Sequence, residues 1–226
     1  MAETLRLAHR GDWRAAPENS LDALLAALKV PACDGLEFDI RGSADGVPVL
    51  LHDEDLARVQ KVPAKCSTLT AEELAVHGVP TLAHVLAAVD CDVFLDVELK
   101  ERVPGVIDLL ELERGRVGDD GRPTLRSAVI SSFDPEILAW LGEQRPTWPR
   151  WGNAIDLSPE TIAIARGLGI GTLSVDFRAI DEAAIQRARA ADLDVAAWTV
   201  RDLATYDRLA SLGVVAICAE DAALDG

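Results

Sequence analysis

The sequence predicts an α/β fold, a compact (β/α)8 barrel with a short or absent final helix. Three observations predict it. Apolar strand-like runs alternate with capped amphipathic helices at roughly 22 to 28 residues per unit, and parallel neighbouring strands need such helical crossovers. The strand units number eight if residues 35–40 and 47–52 share one, which suits an architecture of typically about 250 residues. No Gly-rich phosphate loop follows any strand, which weakens the competing open doubly wound sheet.

In chain order, residues 4–9 read as the first strand. Asn19 or Ser20 then caps a helix whose Leu21, Leu24, Leu25 and Leu28 form a stripe at i, i+3, i+4 and i+7. Residues 35–40 and 47–52 are strand-like, and 60–79 are less regular, with one helical turn around 70–76. From Thr81 the rhythm is regular: helix 81–89, strand 92–99, helix 104–114, strand 127–132. Asp134-Pro135-Glu136 and Ser158-Pro159-Glu160 each place a cap, a proline and an acid where a helix begins. A strand at 150–155 lies between those two helices, and Gly169 stops the second. Strand 172–175, helix 181–190, strand 194–199, helix 202–212 and strand 214–218 complete the series, leaving too few residues for a full last helix.

The chain has 226 residues, 49% of them hydrophobic, enough for a sizeable core. No Pro/Gly/Ser-rich linker divides it, so a single domain over 1–226 is expected. A net charge of −16 disfavours nonspecific contact with nucleic acid or anionic membranes. An anionic small substrate then needs local cations to hold it. Met1-Ala2-Glu3-Thr4 lacks a basic leader region and no apolar run approaches about 18 residues, so no span is expected and the chain reads as cytoplasmic. Cys33, Cys66, Cys91 and Cys218 are scattered without metal-like spacing and read as free thiols. Barrel surface left uncovered by the missing helix leaves a monomer or a homodimer open.

Glu37 and Asp39 lie two apart on a strand, so both point to one face. Glu98 and Lys100 repeat that spacing, with Asp96 deeper on the same face. Both faces of a parallel sheet are covered, so these acids cannot all meet solvent, and burying unpaired ions is costly. A divalent cation would offset that cost, and an all-oxygen set suits Mg²⁺ or Ca²⁺. The competing reading is an internal salt-bridge cluster with Lys100 or Arg10. His9 and His52 each end a strand, where barrels place working groups, and paired imidazoles can divide general-acid and general-base roles. His77 and His84, in or beside helical stretches, read as surface residues. Arg10 and Lys100 offer a phosphate one bidentate donor and one point charge, although a surface salt bridge accounts for Arg10 equally well. Trp198 and Phe133 read as substrate-pocket walls or as core.

Several short motifs come in one order: His9-Arg10-Gly11, Pro17-Glu18-Asn19-Ser20, Glu37-x-Asp39, Asp45-Gly46-x-x-Val49 and His52-Asp53, then Pro80-Thr81-Leu82, Glu98-Leu99-Lys100, Ser131-Ser132-Phe133 and Trp198-Thr199-Val200. The ordered set resembles the glycerophosphodiester phosphodiesterase family over most of the chain, most densely over residues 5–53. That resemblance implies a TIM-type barrel hydrolysing glycerophosphodiesters to glycerol 3-phosphate and an alcohol with a divalent cation. It implies metal ligands Glu37, Asp39 and Glu98, acid–base residues His9 and His52, phosphate-holding Arg10 and Lys100, and a pocket lined by Trp198. Segment 53–80, which caps the site in the family, is short here. Ala219-Glu220-Asp221 stands where the family usually has Thr-Asp, and Arg201 where asparagine is common, so Arg201 offers a contact to an acidic head group. Two further readings stay open: a noncatalytic barrel binding glycerophosphodiesters or phosphate, and a phosphodiesterase acting on lysophospholipid head groups.

Overall fold

A computed structural model describes residues 4–226; the leader reading rests largely on residues 1–3 and lies outside the described residues. The strands are β1 (Leu5–His9), β2 (Gly35–Gly42), β3 (Pro48–Leu50), β4 (Phe94–Leu99), β5 (Gly115–Val117), β6 (Pro123–Leu125), β7 (Ala128–Ser132), β8 (Arg150–Ala154), β9 (Thr172–Asp176), β10 (Asp194–Val200) and β11 (Ala216–Ala219). Strands β1, β2, β4, β7, β8, β9, β10 and β11 pair in parallel, each with the next, and β11 returns to β1. The sheet is therefore a closed (β/α)8 barrel, as the alternation of elements predicts.

Two segments depart from expectation. The strand read at 47–52 shortens to β3 and runs antiparallel to β2, with Ile40 opposite Leu50 and Gly42 opposite Pro48. Gly46, at φ 77°, reverses the chain in a tight turn before any crossover can form, so β3 is not a barrel stave. His52, expected at a strand end, lies in the loop beyond β3, where its carbonyl accepts a 2.9 Å hydrogen bond from Arg41 Nε. The hairpin β5–β6 occupies a stretch where no strand was expected. It has almost no buried face, so burial left no alternating pattern in its sequence.

Helix starts follow the local chemistry. Ser20, rather than Asn19, caps Leu21–Ala27, its Oγ accepting from the Ala23 N–H at 3.2 Å. Asp134 and Ser158 cap Pro135–Gln144 and Pro159–Gly167. The last helix, Asp221–Asp225, is a single short turn. Segment 53–80 carries a 3-10 turn at Cys66–Thr68 and the helix Ala71–Val76, which begins with a Thr70–Glu73 capping box. It packs Leu56, Cys66, Leu74 and Val79 onto Val49 and Leu51.

Apolar burial falls in two further places. The larger core fills the space between barrel and helices, including Leu36, Phe38, Ile40, Val97 and Ile130. A smaller one, built from Leu7, Val129, Trp151, Ala196, Ala216 and Cys218, plugs the barrel interior. Everything above that plug, toward the carboxyl ends of the strands, is free to carry polar groups.

Candidate active site

Strand register builds the floor of the site. His9 on β1 lies opposite Glu37 on β2, and Glu37 opposite Asp96 on β4. Two residues on, Asp39 lies opposite Glu98 and Glu98 opposite Ser131. Side chains alternate along strands, so all of these face the barrel axis near its carboxyl end. A cavity of about 180 Å³ opens there. Every candidate site residue borders it except Asp39, which is fully buried.

The charges interlock. Asp39 Oδ2 lies 3.0 Å from Arg10 Nε, and its Oδ1 lies 2.8 Å from Lys100 Nζ, which also pairs with Glu98. Burial alone would raise the Asp39 carboxyl, but the Arg10 and Lys100 charges hold it below the usual carboxylate range. Glu37 is less well matched. Its Oε2 accepts one 3.2 Å bond from the Arg10 backbone N–H and lies 3.8 Å from His9 Nε2. Burial, with the neighbouring Asp39 and Glu98 charges, pushes its carboxyl well above the ordinary value. Burial likewise raises Asp96 to about 7. The salt-bridge cluster posed as a competing reading is thus present, yet it leaves surplus negative charge.

That surplus is the test for a metal. One carboxylate oxygen each from Glu37, Asp39 and Glu98 lie within 4.8 Å of one another, and all three residues are buried. Two cations cannot neutralise four buried acids, and the donors are all oxygen, so a hard divalent cation fits the arrangement. Asn19 supports it from behind: its Nδ2 donates to Asp39 Oδ2 at 2.8 Å, and its Oδ1 accepts from the Asp39 N–H at 3.2 Å.

Both imidazoles are held from one side. His9 Nδ1 meets Glu220 Oε1 at 2.5 Å, and Glu220 Oε2 accepts from Arg201 Nε at 2.6 Å. His52 Nδ1 meets Asp53 Oδ1 at 2.7 Å, while Asp53 Oδ2 accepts from Arg58 Nε at 2.6 Å. Each ring therefore has its Nε2 left for other work. Burial pushes the His52 imidazole down. Burial raises Glu220, but its bonds to His9 and Arg201 carry it below the usual range.

Arg10 is not a surface residue: besides Asp39 it reaches Glu18, whose Oε1 accepts from its Nη1 at 3.0 Å. Phe133 and Trp198 meet edge to face at 5.4 Å and 71°, and the Trp198 indole N–H donates to the Ser174 carbonyl at 3.0 Å. Both border the cavity, and Trp198 also packs against the barrel-interior cluster. His77 and His84 are exposed and away from the site, as read from the sequence. Glu220, Asp53 and Asn19 were not singled out as site residues. Glu220 directly follows β11 and Asp53 directly follows His52, so the strand-end rule that found His9 points to Glu220 as well. Asn19 stood in the Pro17-Glu18-Asn19-Ser20 motif, but nothing in that motif pointed to a partner beyond the helix cap.

Residues 9–224 match the Glycerophosphoryl diester phosphodiesterase family. Among curated relatives, Glycerophosphodiester phosphodiesterase 1 of Mus musculus is 43% identical over 152 residues, covering 58% of this chain and 43% of that protein. Glycerophosphodiester phosphodiesterase of Caldanaerobacter subterraneus is 31% identical over 125 residues, covering 48% of this chain and 51% of that one. The matches thus span about half or less of these relatives' length. Among solved structures, a glycerophosphodiester phosphodiesterase from Thermotoga maritima superposes with TM-score 0.81 at 24% identity, over 97% of this chain and 95% of that one. A phosphodiesterase of Oleispira antarctica, solved with the product sn-glycerol-3-phosphate, gives 0.82 at 22% identity, over 96% and 93%. The structural likenesses speak for the barrel. The family match runs nearly end to end, and the chain belongs to the glycerophosphoryl diester phosphodiesterase family.

Proposed function

We propose that the protein is a divalent-cation-dependent phosphodiesterase that hydrolyses glycerophosphodiesters to glycerol 3-phosphate and an alcohol. The observation that carries this reading is one cavity bordered by two oriented imidazoles, buried acids and two cations. Glu37, Asp39 and Glu98 would hold the cation. When bound, it withdraws negative charge from the phosphate oxygens as the ester bond breaks. Arg10 and Lys100, already fixed by Asp39 and Glu98, present donors to those oxygens without rearrangement. His9 and His52 divide proton transfer through Nε2, one taking the proton of the nucleophile and the other giving one to the departing alkoxide. Their Nδ1 atoms are occupied by Glu220 and Asp53, which sets ring orientation. Trp198 and Phe133 shield one side of the cavity from water.

The test is a panel of glycerophosphodiesters with Mg²⁺ or Ca²⁺, assayed for glycerol 3-phosphate. Activity is expected with the cation and lost on chelation. His9→Ala and His52→Ala are each expected to lower turnover by roughly two to four orders of magnitude with the fold intact. The cation is also expected to raise the melting midpoint of the wild type, and not that of a Glu37→Gln/Glu98→Gln variant. Release of no glycerol 3-phosphate from any diester would defeat the reading.

A further inference from the structure

A second cavity, of about 280 Å³, adjoins the first, with Phe133 and Asn153 bordering both. It lies outside β8, between the helices Pro135–Gln144 and Pro159–Gly167. Its floor is Leu138, Ala165, Ile170 and Leu173, all buried, and its rim carries Ile155 and Ile164, 73% and 49% exposed. Gly152 helps to keep it open, because a Cβ there would crowd Leu173 Cδ2 at 3.1 Å. No charged residue lines it, although the chain carries 38 acids and 22 basic residues. Ile155, Ile164 and Phe133 are three of the exposed large hydrophobic side chains in the described residues, and all three border this groove.

Exposed apolar surface beside a charged site calls for an occupant. An anionic membrane is disfavoured by the net charge of −16. The groove instead adjoins the pocket that would hold the phosphate, sharing Phe133 and Asn153 with it, and Phe133 is braced by Trp198 with Lys100 Nζ 5.9 Å from its ring centroid. We infer that the groove is a subsite for an alkyl chain carried by the phosphodiester itself, so that the protein selects diesters with an apolar substituent. The inference rests on the phosphodiesterase reading for its anchor, the phosphate held between Arg10 and Lys100.

Binding and turnover separate the two. Calorimetry with Mg²⁺ compares methyl phosphate with octyl phosphate, on the wild type and on an Ile155→Gln/Ile164→Gln variant, whose changes lie on exposed positions away from the catalytic groups. Octyl phosphate is expected to bind at least tenfold more tightly than methyl phosphate, given about fourfold per fully buried methylene, and the variant is expected to lose that gain while binding methyl phosphate as before. Equal affinity for the two in the wild type overturns the subsite, as does a gain that survives in the variant. Wild-type dimers dispersed by the substitutions, seen in sedimentation, assign the face to a second copy and also overturn it. A chain-length gain without hydrolysis of any diester retains the groove and sinks the activity instead. With activity in hand, kcat/KM for diesters of lengthening straight-chain alcohols, set against diesters alkylated on the glycerol, shows which side of the phosphate carries the chain.

Discussion

Glu220 shows how one side chain can matter without touching a substrate. Its carboxylate is buried, bonds His9 Nδ1 and is itself tied to Arg201. Arg201 is thus engaged at Nε, while its guanidinium stays largely exposed at the rim. Glu220→Gln is expected to keep the fold and lower kcat/KM by at least tenfold, short of the roughly 10⁴-fold cost of the equivalent change in a serine-protease triad. The pH–rate profile should shift as well, because an amide does not stabilise an imidazolium; an unchanged rate and profile would show that Glu220 does not orient His9. Arg201→Ala is expected to cost less, since it removes only the support of that carboxylate. A change in preference among diesters with acidic head groups would show that its exposed end reads the substrate.

Gly11 and the loop before the first helix set the site from the level of elements. Arg10 and Gly11 both take positive φ, 58° and 83°, and a Cβ on Gly11 would stand 2.5 Å from the Ala23 backbone carbon. The glycine lets the end of β1 press against the helix Leu21–Ala27, which turns Arg10 inward onto Asp39. Gly11→Ala is expected to lower stability by about 2 kcal/mol, a fall of roughly 4–8 °C in Tm; a melting curve that does not move would show that the close approach is not needed. Pro17-Glu18-Asn19-Ser20 divides its work along the same loop. Glu18 holds Arg10 and Arg58, Asn19 holds Asp39, and Ser20 caps the helix. The cap was legible because it is a local bond. The grip of Asn19 on Asp39 was not, because it crosses to another strand.

At the scale of the molecule, ends far apart in sequence close on each other. Arg14 donates from Nε to Asp12 Oδ1 at 2.8 Å and from Nη2 to Asp225 Oδ1 at 2.8 Å, binding the first loop to the last helix. The bonds from Arg14 hold both carboxyls below the usual range. A carboxyl depressed on folding stabilises above its unfolded pKa, near 4, and that contribution fades as pH falls through the lower folded value. Arg14→Ala is therefore expected to lower the melting midpoint most near pH 7, with the gap to wild type closing toward about pH 2. A gap independent of pH would assign the role of Arg14 to packing alone. Asp225 is exposed and Asp12 half-buried, so the effect should be small and should weaken with salt.

The amino-acid sequence by itself determined the barrel, the helix starts and the sharing of one strand face by Glu37 with Asp39 and of another by Asp96 with Glu98. These follow from periodicity and from bonds spanning a few residues, which any stretch of chain carries within itself. Tertiary structure alone decided which strand face met which. It moved His52 from a strand end to a loop, chose the buried pairing with Asp39 over a surface salt bridge for Arg10, brought Glu220 across 211 positions to His9, and opened an uncharged groove beside the charged pocket. Those outcomes depend on which side chains become neighbours once the sheet closes, and burial then dictates charge pairing among residues that share no local pattern.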